Sequence, residues 1–204
     1  MTTQAPTAPA TRRAGVRAAS WLVLVVGLAG LVLFAAQVED STPMFLYFTI
    51  WCATVTTLIW PAVDLVPVPL ARVVARAGAV GSVLAGIVYW AVLAPAYGVG
   101  RLLPTVLANI ALHALLPIAV LVRLVAGREP RASWVQEVAT LWLPVLYLVF
   151  TFAVLAPMGI PSPYPFLKRG ANLWISIPVL TLVWLAIAAL LHGVVALMHR
   201  RRGA

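Results

Sequence analysis

Six apolar runs dominate this sequence, each close to the ~20 residues a helix needs to cross ~30 Å of hydrocarbon. They cover residues 20–37, Met44–Val63, Val74–Leu93, Leu102–Ala126, Trp134–Ala156 and Asn172–Met198. Strand-type alternation is absent, and the runs are too long for barrel strands. They predict an all-α fold, a polytopic transmembrane bundle of six helices. Composition agrees: the chain is 63% hydrophobic and 9% charged, where a soluble domain uses roughly a quarter charged residues. The first run follows a basic stretch, as in a signal peptide. It exceeds the usual apolar length of one and more spans follow, so an uncleaved first helix is expected.

Charge sets the expected orientation. Net charge is +9, from 14 Lys and Arg against 5 acids. The basic residues lie at helix ends rather than in one patch, which points to a membrane surface and away from nucleic acid. Arg12, Arg13, Arg17, Arg72, Arg76, Arg123, Arg128, Arg131, Arg200, Arg201 and Arg202 fall on one side, and Arg101, Lys168 and Arg169 on the other. Basic loops stay in the cytoplasm, so both termini are expected inside. Glu39 and Asp40 then fall in the first outer loop. Residues 1–19 read as a disordered basic tail, 20–198 as the transmembrane domain and 199–204 as a second basic tail. The single Cys52 excludes an internal disulfide and a Cys-rich metal site, and no cofactor is implied.

Polar side chains inside hydrocarbon must find partners, so they point to function. On the fourth span Thr105, Asn109 and His113 recur at i, i+4, i+8, and Pro117 extends the stripe by a turn. Proline there frees a backbone carbonyl. On the second span Thr49, Ala53 and Thr56 share a face, with Cys52, Thr54 and Thr57 nearby. Tyr147 and Thr151 repeat the spacing on the fifth span. Gly78, Ser82 and Gly86 form a small-residue face on the third, which lets helix backbones approach closely. Any one Thr is readily explained by a bond to its own helix, and Asn109 by a bond between helices. His113 is harder to explain that way, since both ring nitrogens need partners. Its depth differs from that of His192, which argues against a haem-ligating pair. The acids Asp64, Glu129 and Glu137 are placed away from its depth, so a hydrolytic centre would be a hydroxyl–imidazole dyad.

Three segments together resemble a known family: Tyr47-Phe48-Thr49-Ile50-Trp51, then Asn109-Ile110-Ala111-Leu112-His113 with Pro117, and the loop Pro163-Tyr164-Pro165-Phe166-Leu167. The chain is similar, over about residues 20–198, to the androgen-induced protein and androgen-dependent TFPI-regulating protein family and its bacterial six-helix relatives. That resemblance implies an integral-membrane threonine hydrolase of fatty acid esters of hydroxy fatty acids. It maps the nucleophile onto Thr49 and the partner onto His113. Cys52 departs from the Ser or Asn often found at its position. Asn109 or Tyr147 would support the histidine. Thr56, Cys52, Tyr164 and Lys168 are further supporting or substrate-binding candidates, with a membrane lipid or fatty-acid ester as partner. Two other classes stay open: a non-catalytic binding or scaffold protein, and a transporter. The loop at Tyr164 reads either as an interfacial aromatic belt on a rigid turn or as a lid over a lipid-entry site.

Overall fold

The computed structural model describes residues 10–37, 44–65, 69–100, 102–127, 132–168 and 172–203. Glu39, Asp40, Arg101, Arg128, Glu129, Arg131 and Arg169, which carry part of the expected charge asymmetry, lie outside them. The described chain is helical, without a strand among the described residues. Helix α1 spans Ala10–Ala35, α2 Phe48–Leu65, α3 Pro69–Tyr97, α4 Leu103–Ala126 and α5 Trp134–Leu155. Helix α6 runs from Leu173 to Gly203. Five of the six are long and apolar enough to cross a membrane, and the shorter apolar α2 completes the bundle. The protein is a multi-pass membrane protein by this architecture.

Three boundaries differ from expectation, each for a local reason. Helix α1 begins at Ala10, so residues 10–19 are helical where a disordered tail was expected. Alanine and arginine are strong helix formers and simply extend the apolar helix backwards. The same holds at the far end, where the basic segment stays helical through Gly203. The second run divides: Met44–Leu46 forms a single 3-10 turn and α2 starts only at Phe48. Thr49 therefore stands in the first turn of its helix.

Helix α3 is the hub. It packs against α2, α4, α5 and α6, and 56% of its most apolar stretch is buried, against 28–44% for the other long spans. Its small residues explain this, because a helix surface without bulky side chains lets four neighbours come close. A Cβ on Gly86 would lie 2.7 Å from the His113 carbonyl oxygen and 3.3 Å from Pro117. Backbone cannot yield there, so Gly86→Ala is expected to cost about 1–3 kcal/mol through overpacking. Gly193 has open space around it, and Gly193→Ala should instead stabilise its helix by up to about 1 kcal/mol. Thermal unfolding of the two variants in detergent should move in opposite directions.

Three helices widen into π-turns, at Tyr89–Leu93, Ala111–Leu115 and Phe150–Leu155. A proline follows each by two residues: Pro95, Pro117 and Pro157. Proline offers no N–H, and its ring crowds the carbonyl one turn back, so the preceding turn is free to widen. Pro61 and Pro178 lie inside α2 and α6 without such a turn, so proline permits the widening without forcing it.

Two of the helix-end basic residues are buried. Arg76 of α3 donates from Nε to both carboxylate oxygens of Glu137 at 3.1 Å and from Nη2 to one at 2.5 Å. His192 of α6 meets the same carboxylate through Nδ1 at 3.2 Å, with its ring stacked on Trp134. Glu137 thus ties three helices together. Arg123 donates to Ser20 at 2.6 Å and lies over the Trp60 ring at 4.8 Å. Ser133 caps α5 in a reciprocal box with Gln136, satisfying two amides that a helix start leaves open.

Candidate active site

The polar stripe of α4 meets the start of α2. Thr49 Oγ1 lies 3.2 Å from His113 Nε2, and His113 Nδ1 lies 3.2 Å from the Asn109 carbonyl oxygen. A carbonyl only accepts, so Nδ1 carries the proton and Nε2 is left as a bare acceptor for the Thr49 hydroxyl. The imidazole is 8% exposed and stacks flat on Tyr89, with centroids 4.0 Å apart and planes at 16°. Its orientation is thereby held from three sides.

The local sequence makes this possible. His113 sits in the π-turn of α4, and Pro117, four residues on, has no N–H to give to the His113 carbonyl. The indole of Trp90 donates to that oxygen instead, at 3.1 Å. The freed carbonyl expected at Pro117 is real, and a neighbouring helix fills it. His113 is ten residues into α4, about 15 Å from its N-terminal end at ~1.5 Å per residue, and Thr49 meets it from the first turn of α2.

The other candidates separate into those near the pair and those elsewhere. The Asn109 side chain donates to the Val99 carbonyl at 3.1 Å, and it is the Asn109 backbone carbonyl that meets His113. Tyr147 donates to the Leu46 carbonyl at 2.6 Å, pinning the 3-10 turn that precedes Thr49. Thr56 bonds Ser82 of α3 at 3.0 Å and joins two helices. Cys52 is fully buried against Gly81, a packing position. Lys168 is exposed. Tyr89 and Trp90, which hold the imidazole and its carbonyl, were missed by sequence reasoning. Both follow Gly86 on the same helix by a turn, and the signal available was an aromatic pair beside a small-residue face.

Tyr164 is buried and packs with Tyr147 and Leu167. Its amide donates to Ser162 Oγ at 3.2 Å, and its ring stacks on Phe166. Burial pushes its phenol up to about 12, against the opposing pull of the adjacent Thr49 hydroxyl. It stays protonated, a donor beside Thr49.

Thr49 also forms part of the wall of a cavity of about 80 Å³ between α3, α5 and α6. Leu84, Ala85, Val88 and Leu93 line it from α3, and Pro144, Tyr147 and Leu148 from α5. Ile177, Leu180, Thr181 and Trp184 line it from α6, and Tyr164, Phe166 and Leu167 from the loop. The wall is almost wholly apolar, and His113 is not part of it. Among the described residues no cluster of His, Cys, Asp and Glu could hold a metal ion. No family model, curated protein or solved structure matches this chain.

Proposed function

We propose that this protein hydrolyses a carboxylic ester of a membrane lipid, with Thr49 as nucleophile and His113 as general base. The reading rests on one observation, the Thr49 hydroxyl facing a bare imidazole nitrogen whose opposite nitrogen is held on a carbonyl. That is the nucleophile, base and orienting group required for acyl transfer. The resemblance to the threonine hydrolases of fatty acid esters points the same way, at Thr49 and His113.

The chemistry runs in two halves. Nε2 takes the Thr49 proton as Oγ1 attacks the ester carbonyl, giving a tetrahedral oxyanion. Collapse breaks the bond to the alcohol oxygen, which leaves with the proton from Nε2, and an acyl-threonine remains. Water then attacks the acyl carbon, again giving its proton to Nε2. The fatty acid leaves and Thr49 recovers its hydrogen. The protonated Tyr164 hydroxyl beside Thr49 is the donor offered to the oxyanion. The transient imidazolium has no carboxylate partner. The Asn109 carbonyl accepts its N–H and the Tyr89 ring face lies against it.

The eleven-to-three split of basic residues supports a plasma-membrane protein with both termini cytoplasmic. The site then faces the outer leaflet.

A fluorophosphonate probe tests the nucleophile. Purified protein should be labelled at Thr49, and Thr49→Ala should lose the label. Equal labelling of Thr49→Ala would defeat the assignment and favour a non-catalytic membrane protein, in which Thr56–Ser82 and similar bonds merely join helices.

A further inference from the structure

Thr49 touches His113, which does not line the cavity, and itself forms part of the cavity wall, which gives the two halves of an ester separate places. The leaving alcohol must take its proton from His113 Nε2, so it lies on the histidine side. The acyl chain is left on the other side, where Thr49 forms the cavity wall. Tyr164 stands beside Thr49 at the loop end of the cavity, which leaves the inward direction free.

Inward, the cavity ends at Trp184 and Leu84. Helices α3 and α6 run in opposite directions, so Leu84 and Trp184 come level at the inner end, while Leu93 and Phe166 mark the outer one. Trp184 is 1% exposed. Its indole nitrogen donates to Thr140 Oγ1 at 2.9 Å, and Thr140 in turn donates to the Glu137 carbonyl at 2.6 Å. Phe48 lies 6.3 Å from its ring, and Gly81 lets the far edge of the indole sit close to α3. A side chain held by a hydrogen bond and by neighbours on two helices resists displacement by a longer ligand. The level of the dyad is marked by Tyr89, stacked on His113. Leu84 is five residues nearer the inner end, about 7 Å at ~1.5 Å per residue.

The remaining walls suit a hydrocarbon chain and little else. The Tyr147 hydroxyl is spent on the Leu46 carbonyl, that of Thr181 on the Ile177 carbonyl, and the Trp184 N–H on Thr140. Away from Thr49 and Tyr164 the wall offers no free polar group to a ligand, and an apolar cavity does not hold water well.

We infer that the cavity is the acyl pocket of the enzyme and that Trp184 and Leu84 form its floor, limiting the length of acyl chain delivered to Thr49. The inference rests on the hydrolase reading for its kinetic test and on ligand binding for its second test. Chain-length preference follows from the floor: a methylene that the pocket cannot house costs about 10-fold or more in rate.

The experiment uses the purified full chain and p-nitrophenyl esters of increasing saturated acyl length. Wild type should show a sharp cutoff. Trp184→Leu should move it to longer chains, raising the rate on the first rejected ester by about 10-fold or more. Leu84→Phe should move it to shorter chains. The two variants change the floor in opposite senses, so either one that elutes as wild type suffices. In parallel, a fatty acid carrying a diazirine at its methyl end is photolysed with wild type and with His113→Ala, and adducts are mapped by mass spectrometry. Adducts near Leu84 and Trp184 are expected in both. An unchanged cutoff in a folded variant, or adducts confined to the outer end of the cavity, would overturn the floor while leaving the hydrolase intact. Floor adducts in a protein that hydrolyses none of the esters would uphold the pocket and defeat the hydrolase.

Discussion

His113→Ala is expected to lower ester turnover by about 10²–10⁴-fold, the range for removing a positioned general base. The imidazole is the base the geometry offers Thr49: Nε2 lies 3.2 Å from Oγ1, and Glu137 is occupied by Arg76 and His192. The loss should fall on kcat. The acyl chain is held by α3, α5 and α6, none of which touches substrate through His113, so KM should change little. Thr49→Ala should be at least as damaging, and Thr49→Ser should keep part of the activity by retaining a hydroxyl. Residues acting as a unit are not additive, so Thr49→Ala/His113→Ala should be no slower than Thr49→Ala alone. Steady-state hydrolysis of one short-chain ester by these variants and wild type measures all of this. Turnover by His113→Ala within about two-fold of wild type would remove His113 from the mechanism, since even a modest base contributes more.

Glu137→Ala should be the most destabilising single change in the half of the bundle around Arg76, by about 3–5 kcal/mol, as for other buried ion pairs stripped of one partner. Arg76 would be left charged among α3, α5 and α6, with no carboxylate for the three contacts it now makes. His192 would lose its acceptor as well. The penalty arises from the stranded charge rather than from the value of the pair, which gives a control. Arg76→Met/Glu137→Leu removes both charges and should recover most of the loss. Thermal unfolding in detergent, followed by loss of monodisperse protein on size exclusion, compares the variants. A Glu137→Ala protein that melts with wild type would show that Arg76 reaches water or headgroups. The double variant should also keep hydrolysis, because the cluster touches neither Thr49 nor His113.

Several features of the site are legible in the sequence. His113 stands out as an imidazole in hydrocarbon, Thr49 is singled out among several threonines by the resemblance alone, and Pro117 announces a carbonyl without its donor. The Gly78-Ser82-Gly86 face is a packing surface, and it is where Thr56 and the His113 carbonyl come closest to α3. Asn109 marks a limit. Its position beside His113 is correct, but the group that matters is its backbone oxygen, while its side chain serves Val99. Residue type says nothing about which atom of a residue a neighbour will use. Arg76 marks the same limit for charge: its place near a helix end suggests a headgroup contact, yet it is buried and paired with a glutamate 61 positions away.

What the sequence alone determined is the class of fold. Apolar length and the demand that every backbone polar group be bonded inside hydrocarbon leave a chain of this pattern only a helical bundle. Tertiary packing decided the rest. The Thr49–His113 contact joins residues 64 positions apart, and the 3-10 turn before Thr49 is held at Leu46 by Tyr147, 101 positions on. The floor beneath Thr49 depended on a tryptophan from a helix 135 positions on. Such contacts join residues far apart in the chain. No local spacing encodes them, because they exist only once six separate apolar faces have chosen their neighbours.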